Sequence, residues 1–282
     1  MLKKEKKYYF GGNTMDNRPI GVFDSGIGGL TVLKEINRLL PQESVVYFGD
    51  SGRAPYGTKS EDTVIKYTFQ DIRFLQNQDI KMIVIACNTA SACSLDRVKH
   101  SFDFPIVEVV GPGSGAAAKS TVNKKVGVIG TPATISSGVY EKAITRIDSN
   151  IEIFSKPCPM FVPLVEEGWW ENDIAFRIAE EYLLPLKECG IDTLVLGCTH
   201  YPLLQNTIQR VMGDEVKLVN SALEVAKVVK EGIDAYNMER DEKVSPVYRY
   251  YTSDSVEKFE SLGNSILNSK IHSAEKVDIE RY

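Results

Sequence analysis

Hydrophobic and polar positions alternate between two patterns along most of the chain. Short apolar runs, typical of buried strands in parallel sheets, are separated by longer segments in which apolar residues recur every three or four positions, as in amphipathic helices. The first pair is "PIGVFDS" followed by "GGLTVLKEINRLL", where Leu30, Leu33, Ile36 and Leu40 share one helical face. This alternation predicts βα units and an α/β fold built on parallel sheets.

The same alternation continues through both halves of the chain. Further strands are predicted at "SVVYFGD", "KMIVIACN", "FPIVEVV", "KVGVIGT", "NIEIFSKPCP", "DTLVLGCT" and "VKLVNS". The segment "GPGSGAAAKS" contains three glycines and a proline, and we interpret it as a hinge or crossover that breaks the pattern. A final helix "ALEVAKVVKEGIDAY" and strand "VYRYYTSD" are too little for a third core, so this tail is expected to pack on the first domain.

Two pairs of matching segments indicate an internal duplication. "IGVFDSG", from Ile20, matches the pattern of "VGVIGTP", from Val126, and the strand that ends at Cys87 matches the strand that ends at Cys198, at a similar offset along the chain. We therefore expect two similar parallel-sheet α/β domains related by a pseudo-two-fold duplication. Since ligands of open parallel sheets bind beyond the carboxyl ends of the strands, the active site is expected in the cleft between the domains.

The domain boundaries follow from this duplication. The expected first domain consists of residues 15–110 and 222–282, and the second consists of residues 111–221. Residues 1–14 are expected to be a disordered extension, and Met15 is the expected original start.

Composition narrows the class of partner. The chain has 282 residues, of which 43% are hydrophobic, which is enough for a core in each of two domains. A net charge of −5 and a pI near 5.4 argue against nucleic acid, because phosphate binding needs a clustered basic surface. Neither a signal peptide nor an apolar run of membrane-spanning length is recognised in the sequence. A small-molecule substrate and a cytoplasmic location are therefore expected.

Two of the five cysteines have a distinctive context. Cys87 is followed by Asn88 and Thr89, which suit the start of a helix, and Cys198 is followed shortly by Pro202. A helix N-terminus can lower the pKa of a thiol towards neutrality, so both are candidate acid/base groups. No zinc spacing or disulfide framework is recognised, so reduced thiols and no metal are expected. The remaining cysteines lack this context and are interpreted as structural: Cys93, Cys158 and Cys189.

Two thiols on opposite sides of one ligand would suit a racemisation. One base removes a proton from a carbon, and the opposite acid returns a proton to the other face, which inverts the centre without a cofactor. A hydrolase in which His200 activates Cys198 or Cys87 is an alternative, although it leaves the second cysteine unexplained. An amino-acid-binding protein without catalysis is a further alternative, although such a protein would not need both thiols.

The glycine-rich "DSGIGGL" has the spacing of neither a dinucleotide fingerprint nor a P-loop. Its backbone N–H groups would suit a carboxylate equally well, with Asp24 and Ser25 facing the ligand. Alternatively, these two residues only cap the following helix. The loop "DSGRAPYG" is interpreted either as a functional loop or as a plain connection.

Seven segments together resemble the glutamate racemases of the aspartate/glutamate racemase superfamily: "GVFDSGIGGLTV", "FGD", "APYG", "VIACNTA", "VGVIGT", "VPLVEEG" and "LVLGCTHYPLL". The resemblance implies that Cys87 acts on the D enantiomer and Cys198 on the L enantiomer, with Asp24 and His200 assisting the neighbouring thiols. Asp50 and Glu166 are weaker candidates for assistance. The implied substrate contacts are Asp24, Ser25, Tyr56, Gly57, Asn88, Thr89, Thr131, Thr134, Thr199 and His200.

The resemblance also implies a biological setting. It implies a cofactor-independent isomerase, a homodimer in the bacterial cytoplasm, that supplies D-glutamate for peptidoglycan and so for cell wall biogenesis and cell shape. Aspartate racemases share the two-cysteine plan and remain an alternative. The preference for glutamate therefore depends on "DSGIGG", "APYG" and "CTHYP" rather than on the thiols.

Overall fold

The computed structural model describes residues 15–268, 271 and 273–282, so the expected extension over residues 1–14 lies outside the described residues. The strands are β1 (Ile20–Asp24), β2 (Val45–Gly49), β3 (Met82–Ile85), β4 (Ile106–Glu108), β5 (Lys125–Gly130), β6 (Glu152–Pro157), β7 (Thr193–Gly197), β8 (Lys217–Asn220), β9 (Tyr248–Thr252) and β10 (Glu275–Lys276). They form one six-stranded sheet, in the order β10-β9-β2-β1-β3-β4, and one four-stranded sheet, in the order β6-β5-β7-β8.

Helices connect the strands within each sheet and link the two sheets. They are α1 (Leu30–Leu39), α2 (Glu61–Gln76), α3 (Asn88–Ser101), α4 (Val110–Ser120), α5 (Pro132–Ser136), α6 (Val139–Ile147), α7 (Phe161–Glu166), α8 (Asp173–Glu188), α9 (Gln205–Met212), α10 (Ser221–Tyr236) and α11 (Val256–Leu267). Short 3₁₀ helices lie at Ser51–Arg53, Tyr56–Thr58, Tyr201–Leu204 and Ile279–Arg281. In the described part of the chain, none of the helices is both long and apolar enough to cross a bilayer.

The two sheets repeat one topology, which confirms the predicted fold class. The order β2-β1-β3-β4 in the first sheet corresponds to β6-β5-β7-β8 in the second, and every strand pair is parallel. The central strands β1, β3 and β7 are buried along their whole length, as expected for parallel strands covered on both faces. Cys87 and Cys198 therefore lie just beyond the carboxyl ends of the equivalent strands β3 and β7.

The two sheets share part of their hydrophobic core. One buried cluster contains Val22 and Val84 from the first sheet, Val128 and Val195 from the second, and Val229 from α10. The tail after α10 returns to the first sheet, where β9 pairs with β2. The domain boundaries at residues 110/111 and 221/222 stay predictions.

The interpretation of "GPGSGAAAKS" as a break in the pattern is wrong, because the segment lies within α4. Pro112 lies in the first helical turn, where a missing N–H is tolerated. The carboxylate of Glu108 accepts hydrogen bonds from the backbone N–H groups of Val110 and Gly111, at 2.6 and 2.9 Å, and so satisfies the helix start. The segment does act as a crossover, since α4 links β4 of the first sheet to β5 of the second.

Candidate active site

Cys87 and Cys198 line one small cavity between the two sheets. Both are buried, with 4% and 7% of their surface exposed. The space open to water centres is about 20 Å³, roughly enough for a single water molecule. The other lining residues are Ser25, Ala54, Pro55, Tyr56, Gly57, Asn88, Thr89, Thr131, Val162, Glu166, Thr199 and His200.

Three of the residues predicted for the site do not line this cavity: Asp24, Asp50 and Thr134. Each of these three residues lies behind the cavity wall and forms a hydrogen bond with a residue that lines the cavity. Asp24 accepts a hydrogen bond from Thr199, Asp50 from Tyr56, and Thr134 shares hydrogen bonds with Thr89. Ala54, Pro55 and Val162 were not predicted as site residues, although they lie in the segments "APYG" and "VPLVEEG", because their side chains have no acid, base or hydrogen-bonding group.

Cys87 occupies the N-cap position of α3. Its Sγ accepts a hydrogen bond from the backbone N–H of Ala90 at 3.4 Å, and its thiol donates to Oγ of Ser25 at 3.4 Å. Burial nevertheless raises the pKa of the Cys87 thiol, and the nearby charge of Asp24 raises it further. The expectation that the helix start lowers the pKa of this thiol is therefore wrong, because desolvation outweighs the two weak hydrogen bonds. The raised pKa favours the neutral thiol of Cys87, which can donate a proton.

Cys198 has different surroundings. A 3₁₀ turn from Tyr201 follows it, so it does not cap an α-helix, and its Sγ lies 3.8 Å from Nδ1 of His200. Nε2 of His200 lies 3.5 Å from Oε1 of Glu166, whose other oxygen lies 4.0 Å from Nζ of Lys258. Cys87 and Cys198 thus lie at equivalent strand ends of the two sheets, but the chemical groups around them differ.

The surroundings of His200 favour its charged form. Burial lowers the pKa of His200, but its contacts with the sulfur of Cys198 and the carboxylate of Glu166 outweigh burial and raise the pKa to about 10. The contact with His200 in turn lowers the pKa of Glu166, against the opposing effect of burial. Glu166 therefore carries the negative charge that balances the imidazolium.

Asp24 connects the two halves of the site. The residue is fully buried, and its carboxylate accepts hydrogen bonds from the backbone N–H of Gly26 and from Oγ1 of Thr199, both at 3.1 Å. Burial raises the pKa of Asp24, while the neighbouring His200 charge acts in the opposite direction. Asp24 accepts a backbone hydrogen bond at Gly29, the N-cap residue of α1, and also one from Thr199 of the other half of the chain, so capping alone does not account for Asp24.

The glycine-rich loop allows close approach between the two halves of the chain. A Cβ atom at Gly28 would lie 2.5 Å from both Nδ1 of His200 and Oγ1 of Thr199. A Cβ atom at Gly57 would lie 2.4 Å from Cβ of Thr131. Gly28 of the glycine-rich loop and Gly57 of the "DSGRAPYG" loop therefore need to be glycine, because side chains from the second half of the chain occupy the space.

Three hydroxyl groups form a cluster at the cavity wall. Oγ1 of Thr89 lies 2.9 Å from that of Thr131 and 3.2 Å from that of Thr134, which are themselves 3.0 Å apart. Thr89 lies in the first turn of α3 and Thr131 is the N-cap of α5, so two helix starts face the same region. Hydroxyl groups and helix N-termini are suited to bind a carboxylate.

A buried charged cluster supports the loop that carries Tyr56. Arg53 donates to Asp50 at 2.6 Å and to Asp71 at 2.9 Å, and the hydroxyl of Tyr56 donates to both carboxylates. The Tyr56 hydroxyl is thus used within the cluster, so a substrate would meet its ring or backbone. Asp71 was missed because it lies within α2 and no local motif distinguishes it.

Among the described residues, no group of three or more His, Cys, Asp or Glu side chains is placed to hold a metal ion. The fold and the cavity define a class of α/β proteins in which two duplicated parallel sheets present one thiol each to a shared site.

The chain belongs to the Asp/Glu/Hydantoin racemase family, whose model matches residues 20–229. It is 48% identical to the glutamate racemase of Geobacter metallireducens over 263 residues, which cover 93% of this chain and 97% of that protein. The crystal structure of glutamate racemase from Francisella tularensis in complex with D-glutamate is similar with a TM-score of 0.89 and 40% identity, over 95% of this chain and all (100%) of the other.

An aspartate racemase is a more distant relative. The structure from Picrophilus torridus has a TM-score of 0.54 and 20% identity, over 80% of this chain and 97% of the other. That likeness shows the fold alone, so the comparisons favour glutamate racemase over aspartate racemase.

Proposed function

We propose that this protein interconverts L- and D-glutamate without a metal or an organic cofactor, by moving the α-proton between Cys87 and Cys198. The observation that carries the proposal is the meeting of two thiols, from equivalent strand ends of two duplicated sheets, at one cavity. The similarity to glutamate racemases supports glutamate as the substrate.

The chemical environments of the two thiols suit opposite steps. With L-glutamate, the thiolate of Cys198 takes the α-proton, so the C–H bond breaks and an S–H bond forms. The charge on His200, 3.8 Å from Sγ, balances the thiolate before transfer. Cys87, whose raised pKa favours the neutral thiol, then donates its proton to the opposite face of the carbanion. For D-glutamate, Cys87 first gives its proton to solvent and Cys198 takes one up. The Cys87 thiolate then takes the α-proton, and the Cys198 thiol donates a proton to the opposite face.

Substrate binding uses donors around the cavity. Ser25, Asn88, Thr89, Thr131 and Thr199 present hydroxyl, amide or helix-start N–H groups, which suit the two carboxylates of glutamate. The space open to water centres is only about 20 Å³, so we propose that the cavity widens when glutamate binds.

The wider setting belongs to the same proposal. A glutamate racemase would supply D-glutamate for peptidoglycan in the bacterial cytoplasm, and thus serve cell wall biogenesis and cell shape. A homodimer is proposed on the family resemblance, and sedimentation of the purified protein measures it directly.

Incubation with L-glutamate tests the proposal. We expect the circular dichroism of L-glutamate to decay to zero, with no comparable decay for L-aspartate and no loss of rate after dialysis against a chelator. Decay with aspartate alone would indicate an aspartate racemase. Product formation without inversion would indicate a hydrolase, and binding without change would indicate a binding protein. Each of these outcomes would overturn the proposal, as would activity that depends on added metal.

The replacement of Gly28 with alanine is expected to lower kcat/KM by about 10- to 100-fold. The new Cβ would lie 2.5 Å from Nδ1 of His200, so the imidazole must shift, and a displacement of about 1 Å near the reacting groups can cost about 100-fold in rate. Gly115→Ala is the matched control, because no heavy atom lies within 4 Å of its added Cβ. Steady-state kinetics of both variants check the expectation, and equal activities would contradict it.

A further inference from the structure

Only one of the two polar atoms of the Asn88 side-chain amide has a hydrogen-bond partner among the described residues. The side chain is 2% exposed, and its Oδ1 accepts a hydrogen bond of 2.6 Å from the hydroxyl of Tyr140. Its Nδ2 is buried and has no hydrogen-bond partner among the described residues. A buried amide nitrogen without an acceptor is costly, so its two N–H groups suit an acceptor atom of a bound ligand. Asn88 lines that cavity directly after Cys87.

Tyr140 reaches Asn88 from the other half of the molecule. It lies in α6, beside the second sheet, and is only 3% exposed. Its ring fits between two glycines: a Cβ at Gly197 would lie 3.2 Å from the ring, and one at Gly113 would lie 3.5 Å from it. Gly197 directly precedes Cys198. Tyr140 therefore packs against the glycine that precedes Cys198 and forms a hydrogen bond with Asn88, which follows Cys87.

The hydroxyl of Tyr140 acts as a donor in this contact. Burial raises the pKa of Tyr140, with further contributions from Glu108 and Cys198, so the phenol keeps its proton. Because the O–H donates to Oδ1, the amide is held with Nδ2 away from Tyr140. The opposite orientation of the amide would present Oδ1 to the ligand and would repel a carboxylate.

We propose that Tyr140 is a positioning residue, which holds the Asn88 amide so that its Nδ2 donates a hydrogen bond to a carboxylate of the substrate. The inference rests on the proposed function for the identity of that substrate, and it adds a residue that no sequence motif selects. Because the hydrogen bond joins the two halves of the chain, the donor is in place only when α6 and the start of α3 are in contact. Substrate recognition by Asn88 is thereby tied to the packing of the two sheets.

Tyr140→Phe tests this role, since it removes the hydroxyl and keeps the ring. We expect about tenfold weaker binding of glutamate, because one oriented hydrogen bond to a charged group is lost. Binding is measured by calorimetry with an equimolar mixture of L- and D-glutamate, which gives no net reaction heat in a racemase. We expect KM to rise by a similar factor, while kcat changes by less than about threefold.

A double-mutant cycle separates positioning from stability. In an Asn88→Ala background the change of Tyr140 to Phe should have no further effect on binding, because the amide is already absent. Tyr201→Phe is the matched control: its buried hydroxyl donates to the carbonyl of Cys158 at 2.9 Å, so it should lower the melting temperature without a change in KM. Additive effects in the cycle, or unchanged binding by Tyr140→Phe, would overturn the inference.

The two proposals can fail separately. Wild-type racemisation combined with unchanged binding by Tyr140→Phe would reject the positioning role alone. Weakened binding in Tyr140→Phe, in a wild-type protein that binds but does not invert glutamate, would reject racemisation alone. If the wild-type protein binds no glutamate, both proposals are overturned.

Discussion

Replacing either Cys87 or Cys198 with serine is expected to lower the rate of glutamate racemisation by about 10²- to 10⁴-fold. A positioned acid/base group contributes roughly this factor, and a serine hydroxyl is a far weaker acid than a thiol at neutral pH. Serine is close to cysteine in size, so both variants should fold. Circular dichroism of the substrate measures the rate. Cys189→Ser is the control, because Cys189 is a free thiol that does not line the cavity.

The two variants should differ in how they exchange the α-proton. In D₂O, Cys87→Ser should still incorporate deuterium from L-glutamate, because Cys198 remains to take the proton on that face. Cys198→Ser should instead retain exchange from D-glutamate. Deuterium at the α-carbon is followed by mass spectrometry from each enantiomer separately. Equal exchange from both enantiomers in either variant would show that the two thiols do not divide the faces between them.

The parallel-sheet class and the duplication could be predicted because they depend on a local pattern. Strands β1, β3, β5 and β7 are apolar runs that end at or shortly before a small polar residue, a glycine or a cysteine, and the repeat of this pattern indicates a duplication before any contact is known. The order of the strands was not predicted, because it depends on contacts between distant segments. The helix α4 could not be predicted in the same way. Its glycines and Pro112 weaken any helical signal, and the close packing at Gly113 and the cap by Glu108 become visible only in three dimensions.

Most cavity residues lie at strand ends and helix starts and could be predicted from sequence, because they belong to recognisable motif segments. The protonation states of their side chains could not be predicted from sequence. The pKa of the Cys87 thiol is raised by burial and by Asp24, which is distant in sequence, whereas a helix start alone would lower it. The supporting residues Asp71 and Tyr140 lie within helices and act through contacts 15 and 52 residues away in sequence, which no local pattern encodes.

His200 offers the second prediction of large effect. His200→Asn is expected to lower kcat by about 10²- to 10³-fold, because asparagine can neither carry the charge beside Cys198 nor exchange a proton with it. L- and D-glutamate have equal free energies, so kcat/KM must fall by one factor in both directions and cannot reveal which face is affected. Deuterium exchange at the α-carbon can reveal the affected face. The exchange rate should fall more with L-glutamate than with D-glutamate. Equal slowing from both enantiomers would contradict a role beside Cys198.

Glu166→Gln tests the charge on His200 without removing the imidazole. In the wild-type protein the pKa of His200 is about 10, so the charged form is present below that pH and is lost as the pH rises through it. The nearby carboxylate of Glu166 helps to raise the pKa of His200, so a neutral glutamine should lower that pKa and move the loss of charge to a lower pH. The ratio of variant to wild-type kcat should therefore fall as the pH rises from neutral. Taking the ratio cancels the ionisation of the substrate ammonium, which both proteins share. NMR titration of the His200 ring measures the pKa directly, and an unchanged pKa with a ratio independent of pH would show that Glu166 does not hold the proton on His200.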